Sequence, residues 1–180
     1  MKIHVVYSSL TGCTKQVAEA IYAGYEGEKA ISKVSDKPDL SDADIVALGY
    51  WVDKGGPNEE VQKFISELSG KKVFVFATLA YFADSEHGFQ SVWRGVEAVK
   101  AAGNEVIGHY VCNGALAPAL IEKFKKMAAE GSGNHHAFTP EKGVRYEIMK
   151  NHPTPAELAL GSERFNERVE LNRRIAELQA

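Results

Sequence analysis

Short apolar runs alternate along the chain with stretches in which apolar positions recur every three or four residues. Residues 2–7 (KIHVVY) read as a buried strand, and residues 14–25 as a helix with Val17, Ile21 and Tyr25 on one face. Residues 29–34 (KAISKV) are barely apolar and make a weak second strand, whereas residues 44–50 (DIVALGY) make a strong third. Pro57 suits a first helical turn, where its missing N–H costs nothing. Val61, Phe64, Ile65 and Leu68 then follow at helical spacing. Residues 72–78 (KVFVFAT) predict a fourth strand, and Phe89, Val92, Trp93, Val96 and Val99 a helix that Gly103 ends. Residues 105–112 predict a fifth strand, and Leu120, Phe124 and Met127 mark a helix after Pro118.

Beyond residue 130 the texture changes. Residues 130–152 are rich in Gly, His and Pro and read as a long surface loop. Residues 155–180 read as a charged helix with Leu171, Ile175 and Leu178 on one side. Strands separated by helices of this length need crossovers, and crossovers give a parallel sheet covered on both faces. The expected fold is therefore α/β, a three-layer sandwich around a five-stranded parallel sheet of order 2-1-3-4-5. One domain is expected: a core over residues 1–130, a loop over 131–155 and an extra docked helix over 156–180.

The composition narrows the function by exclusion. Among 180 residues, 44% are hydrophobic and 25% charged, and the net charge of −3 comes with no basic block. A nucleic-acid binder would show a basic face. No apolar stretch approaches the roughly 20 residues of a membrane helix, and no signal-peptide pattern opens the chain. Cys13 and Cys112 are too few for a metal cluster and read as free thiols, which points to the cytoplasm. His135 and His136 read as solvated, His87 as a surface residue, and no metal is expected.

The chemistry concentrates after the first strand, where Ser9, Leu10, Thr11, Gly12, Cys13 and Thr14 lead into the first helix. Ligands of open parallel sheets sit at the carboxyl ends of the strands, near the point where strand order reverses. A helix N-terminus there offers unpaired N–H groups and partial positive charge. Three hydroxyls, a glycine and no Lys or Arg suit one terminal phosphate monoester, held by dipoles alone. The spelling excludes rivals: G-x-G-x-x-G is absent, G-x-x-x-x-G-K-[ST] is absent, and no Arg stands six positions after Cys13. Receiver domains need carboxylates where this chain has Ser8 and Ser9.

Residues 9–14 match [ST]-x-T-G-x-T, and the chain thereby resembles the flavodoxin family; W-V-D-K-G at residues 51–55 and T-L-x-x-x-x-D-S at residues 78–85 resemble its short-chain members of the kind found in anaerobic bacteria. That resemblance implies FMN, bound without a covalent link, with its phosphate in this loop. It further implies two ring-binding loops. The first holds Tyr50, Trp51, Val52, Asp53, Gly55 and Gly56, and the second Thr78, Leu79, Ala80, Tyr81, Phe82 and Asp84. Aromatic side chains suit a flat apolar ring, and loop backbone suits its polar edge. Trp51 and Tyr81 are the expected stacking residues, with Tyr50 and Phe82 as substitutes. Cys13, Ala77 and Ala80 depart from the resembled pattern, which has Asn at the first position and Gly at the other two.

Two functional classes follow, an electron carrier between redox partner proteins and an NAD(P)H-dependent reductase of quinones or other small acceptors. A third is a flavin-binding partner domain without turnover. Asp53, Glu59, Glu60, Asp84 and Glu86 lie in or beside the ring loops against Lys54 alone. At about 10 Å and an effective dielectric near 20, each carboxylate disfavours a negatively charged reduced ring by roughly 1–2 kcal/mol. With no basic pair to grip a nicotinamide dinucleotide and no large insertion to build a substrate pocket, the carrier is preferred.

Overall fold

The chain is described by a computed structural model over residues 1–131 and 136–179. Its strands are β1 (Ile3–Tyr7), β2 (Lys29–Lys33), β3 (Ile45–Asp53), β4 (Gly56–Pro57), β5 (Lys72–Leu79) and β6 (Glu105–Asn113). Five of them run parallel in the order β2-β1-β3-β5-β6, which is the expected 2-1-3-4-5 arrangement. The sixth, β4, is a two-residue strand that turns back antiparallel onto the end of β3. The weak second strand is explained by its place. It lies at the sheet edge and is only half-buried, so it needs no continuous apolar run.

Side-chain alternation along the strands builds two cores, one on each face of the sheet. Val46, Leu48 and Tyr50 of β3 face Val61 and Ile65 of α2 (Glu59–Glu67), together with Val92, Val96 and Val99 of α3 (Glu86–Ala101). On the other face Ile45, Ala47, Phe74 and Phe76 pack against Val17, Ala18 and Ile21 of α1 (Cys13–Gly24). No helix of the described residues is long and apolar enough to cross a membrane.

The segment beyond β6 departs from expectation at one point. Residues 130–152, read as loop, contain a helix over Pro140–Met149, capped by the Thr139 hydroxyl, which accepts from the Lys142 N–H. Composition hid it, because Gly143 lies within the helix itself and the helix is short. Moreover, the helix after Pro118, α4 (Pro118–Ala129), buries none of its residues. The place beside α1 is taken by the last helix. With Pro140–Met149 as α5, that helix is α6 (Pro155–Leu178), which packs on α1 and β6. Its Phe165 is fully buried, edge-on to Phe74 at 5.4 Å, a burial that contributes about 1.5–3 kcal/mol. The last helix is thus docked on the sheet and on α1, as expected.

Candidate functional site

Strand order reverses between β1 and β3, and the loops leaving β1, β3 and β5 meet there at the carboxyl edge of the sheet. The loop after β1 turns at Gly12, whose φ of 92° lies in the left-handed region that favours glycine. Space for a Cβ is open at Gly12, so the backbone there is free to meet a ligand. The Ser9 hydroxyl accepts from the N–H groups of Gly12 and Lys15, both at 3.2 Å. Thr11 donates to the Ala115 carbonyl at 3.3 Å, and the Thr14 hydroxyl pairs with that of Thr78 at 2.8 Å. Cys13 and Thr14 open α1, where their N–H groups have no acceptor in the helix.

A network that sequence reasoning missed braces this loop from the α2 side. Ser8 donates to a Glu60 carboxylate oxygen at 2.6 Å and accepts from the Asn58 amide at 3.1 Å. Lys15 and Lys33 flank the same surface as Ser9, Gly12 and Glu60, in a small pocket of about 240 Å³. The loop itself carries no cation, as expected, yet two stand at its side.

Beside it opens a cleft of about 450 Å³. Leu10, Thr11 and Cys13 form one end, Trp51, Val52, Asp53 and Lys54 one wall, and Thr78, Leu79, Ala80 and Tyr81 the other. Trp51 and Thr78 are register partners on β3 and β5, so both walls leave the sheet at one level. His87 lines the cleft too, edge-on to Tyr81 at 5.5 Å. The Ala83 N–H donates to the Asn113 side chain at 2.8 Å, which ties the loop after β5 to the end of β6.

Several expected residues stand elsewhere. Tyr50 is fully buried in the core, where its hydroxyl donates to the Ser91 carbonyl at 2.8 Å and its ring lies on Gly95. A Cβ at Gly95 would come within 2.4 Å of that hydroxyl oxygen. Tyr50 is therefore a packing residue, and burial pushes its phenol well above the usual range. Gly56 lines a separate groove between α2 and α3. Gly55 is bound through its carbonyl, at 2.8 Å, by the Arg94 guanidinium, which holds the turn after β3. Phe82 and Asp84 are exposed and do not line the cleft.

The third wall comes from the segment read as helix and loop. Leu120 and Phe124 of α4, Arg145 and Tyr146 of α5, Leu116 before α4 and His136 between the two helices close the cleft, and His135 lies outside the described residues. The Arg145 guanidinium carbon stands 4.7 Å from the centre of the Tyr81 ring. The charge inventory read from the loops is thereby corrected. Asp53, Lys54 and Arg145 line the cleft, whereas Glu59, Asp84 and Glu86 are exposed outside it and Glu60 binds Ser8. The helix start at Thr139 and Pro140 is a legible signal; that the helix returns to this cleft is not.

Residues 4–166 match the family model of the flavodoxin domain. The chain belongs to the flavodoxin-domain family. A flavodoxin-like domain-containing protein, BilS of Clostridioides difficile strain CD3, is 33% identical over 162 residues, covering 88% of this chain and 90% of that protein. Among solved structures, oxidised flavodoxin 1 of Bacillus cereus superposes with a TM-score of 0.52 at 21% identity, over 72% of this chain and 96% of that one. A WrbA-like flavodoxin of Agrobacterium tumefaciens gives 0.52 at 14% identity, over 94% and 98%. Those two likenesses bear on the flavodoxin fold alone.

Proposed function

We propose that the protein holds FMN non-covalently in this cleft and relays electrons through it between redox partner proteins. One observation carries the reading: the helix start reaches a cleft at the switch point through Leu10, Thr11 and Cys13, Trp51 and Tyr81 wall that same cleft, and Ser9 and Gly12 line the small pocket beside it. FMN has the same polarity, a dianionic phosphate at one end and a flat ring at the other. The residues fit it. The open backbone at Gly12 and the first-turn N–H groups of Cys13 and Thr14 suit the phosphate, with Ser9, Thr11 and Thr14 adding hydroxyls. Trp51 and Tyr81 suit the ring faces, and the backbone of residues 52–54 and of Ala80 its polar edge. The flavin, when bound, supplies the redox chemistry. The chain anchors it, orients it and keeps water from it.

The chain works as one domain in this reading, because α6 completes the layer that α1 begins. Cytoplasmic work is supported by two buried, unpaired cysteines. Exposed Asp84 and Glu86 beside the cleft suit a cationic partner surface. One observation favours the reductase alternative: Leu116, Leu120, Phe124 and Tyr146 give the cleft a wall that a small acceptor could use.

Turnover separates the two. The loaded protein alone should oxidise NADPH or NADH slowly, with or without a quinone, well under about 1 s⁻¹. An added flavoprotein reductase should speed reduction strongly, with a rate that falls as salt screens the docking charges. Replacing Asp84 by Asn and Glu86 by Gln should weaken that salt dependence. Ordinary enzymatic turnover by the protein alone replaces the carrier with the reductase.

A further inference from the structure

We propose that Arg145 sets the charge of the flavin cleft, favouring the reduced ring over the oxidised one; this rests on the FMN reading above. Arg145 reaches the cleft from α5, whose own anchors are buried Tyr146 and Met149 and the Thr139 cap. The guanidinium is therefore not what holds the helix. Among the described residues it forms no ion pair. Its contacts are two aromatic faces, Tyr81 at 4.7 Å and Tyr146 at 5.3 Å from ring centre to guanidinium carbon. Its Nε is buried and has no hydrogen-bond partner.

A buried N–H donor without an acceptor is costly, and this cation, laid on aromatic rings, is ion-paired with no carboxylate among the described residues. Both features point to a ligand that supplies an acceptor and negative charge. A flavin ring beside Tyr81 meets both requirements. Its pyrimidine edge carries acceptors, and uptake of two electrons and one proton from a reductant leaves the ring with one negative charge. Arginine cannot lose its proton in the cleft, so its charge acts in both redox states and lowers the energy of the negative one. Among the cleft-lining residues Asp53 opposes it, and Lys54, which is solvent-exposed, adds to it only weakly. The sign is opposite to that read from the loop carboxylates.

The test compares affinities of the two redox states. Wild-type protein, Arg145→Gln and Arg145→Lys are titrated with oxidised FMN and, anaerobically, with dithionite-reduced FMN, and the series is repeated with riboflavin. Arg145→Gln should weaken the reduced form about tenfold more than the oxidised form, which is a fall of about 30 mV in the two-electron potential. Riboflavin should show the same difference, because the phosphate takes no part. Arg145→Lys should keep most of the potential, which also guards against a folding defect. Equal losses for both redox states make Arg145 a mere wall and overturn the proposal. A loss confined to FMN makes it a phosphate ligand and also overturns it. Wild-type protein that binds neither flavin in either state ends the FMN reading itself.

Discussion

In the proposed complex Thr11 and Thr14 bind the FMN phosphate. The Thr14 hydroxyl is buried against Thr78, and a hydroxyl that accepts there still has its own proton to donate. Thr11 is exposed at the loop tip. Each hydrogen bond to a charged group contributes about 1.5–3 kcal/mol, so changing both residues to Ala should weaken FMN on the order of a hundredfold or more. Riboflavin, lacking the phosphate, should bind almost unchanged; calorimetric or fluorescence titration of both ligands checks this, and equal losses would move the phosphate elsewhere. The loop was legible because its chemistry lies in consecutive residues. Tyr50, expected at the ring, belongs to the core, and the two-residue alternation that puts it with Val46 and Leu48 and puts Trp51 on the opposite parity is the signal that separates them. Arg145 was not legible, because nothing local in residues 140–149 says which cleft the helix approaches.

At the scale of elements, the N-terminus of α6 shows how the last helix is fixed in place. Thr154 and Glu157 form a capping box, with the Thr154 N–H donating to Glu157 at 2.6 Å and the Glu157 N–H to the Thr154 hydroxyl at 3.3 Å. The same carboxylate meets His152 Nδ1 at 2.6 Å and accepts from the Asn113 N–H at 3.3 Å, which joins the helix to the end of β6. Burial works to raise the Glu157 carboxyl, but the Thr154 and His152 hydrogen bonds outweigh it and hold it below its ordinary 4.5. A carboxyl lowered on folding stabilises fully above its unfolded value, and that contribution fades as pH falls through the folded one. Glu157→Gln should therefore cost roughly 1.5–3 kcal/mol at pH 7. The difference from wild type should shrink as the medium is acidified below the ordinary carboxyl range. Urea unfolding at both pH values measures it, and a pH-independent difference would contradict the carboxylate's role. The T-P-x-E spelling at residues 154–157 announces this helix start. It does not announce that α6, and not α4, covers the sheet beside α1; both helices carry apolar residues, and only packing decides between them.

Over the whole molecule, the parallel direction of the strands followed from their spacing, because helices of that length leave no hairpin connection, whereas the order came from the known doubly wound arrangement. The cleft is a different matter. Three loops at the carboxyl edge are foreseeable from the strand order, but its third wall is assembled by an excursion of the chain after β6 that returns to the cleft. That wall adds a fixed cation and apolar surface, so the charge and enclosure of the site could not be summed from the loops. The central claim is that this cleft holds FMN non-covalently, and identification of the bound flavin tests it most directly. Purified protein should be yellow, and acid should release about one FMN per chain while leaving no flavin attached. Colourless protein that takes up no added FMN would contradict the account.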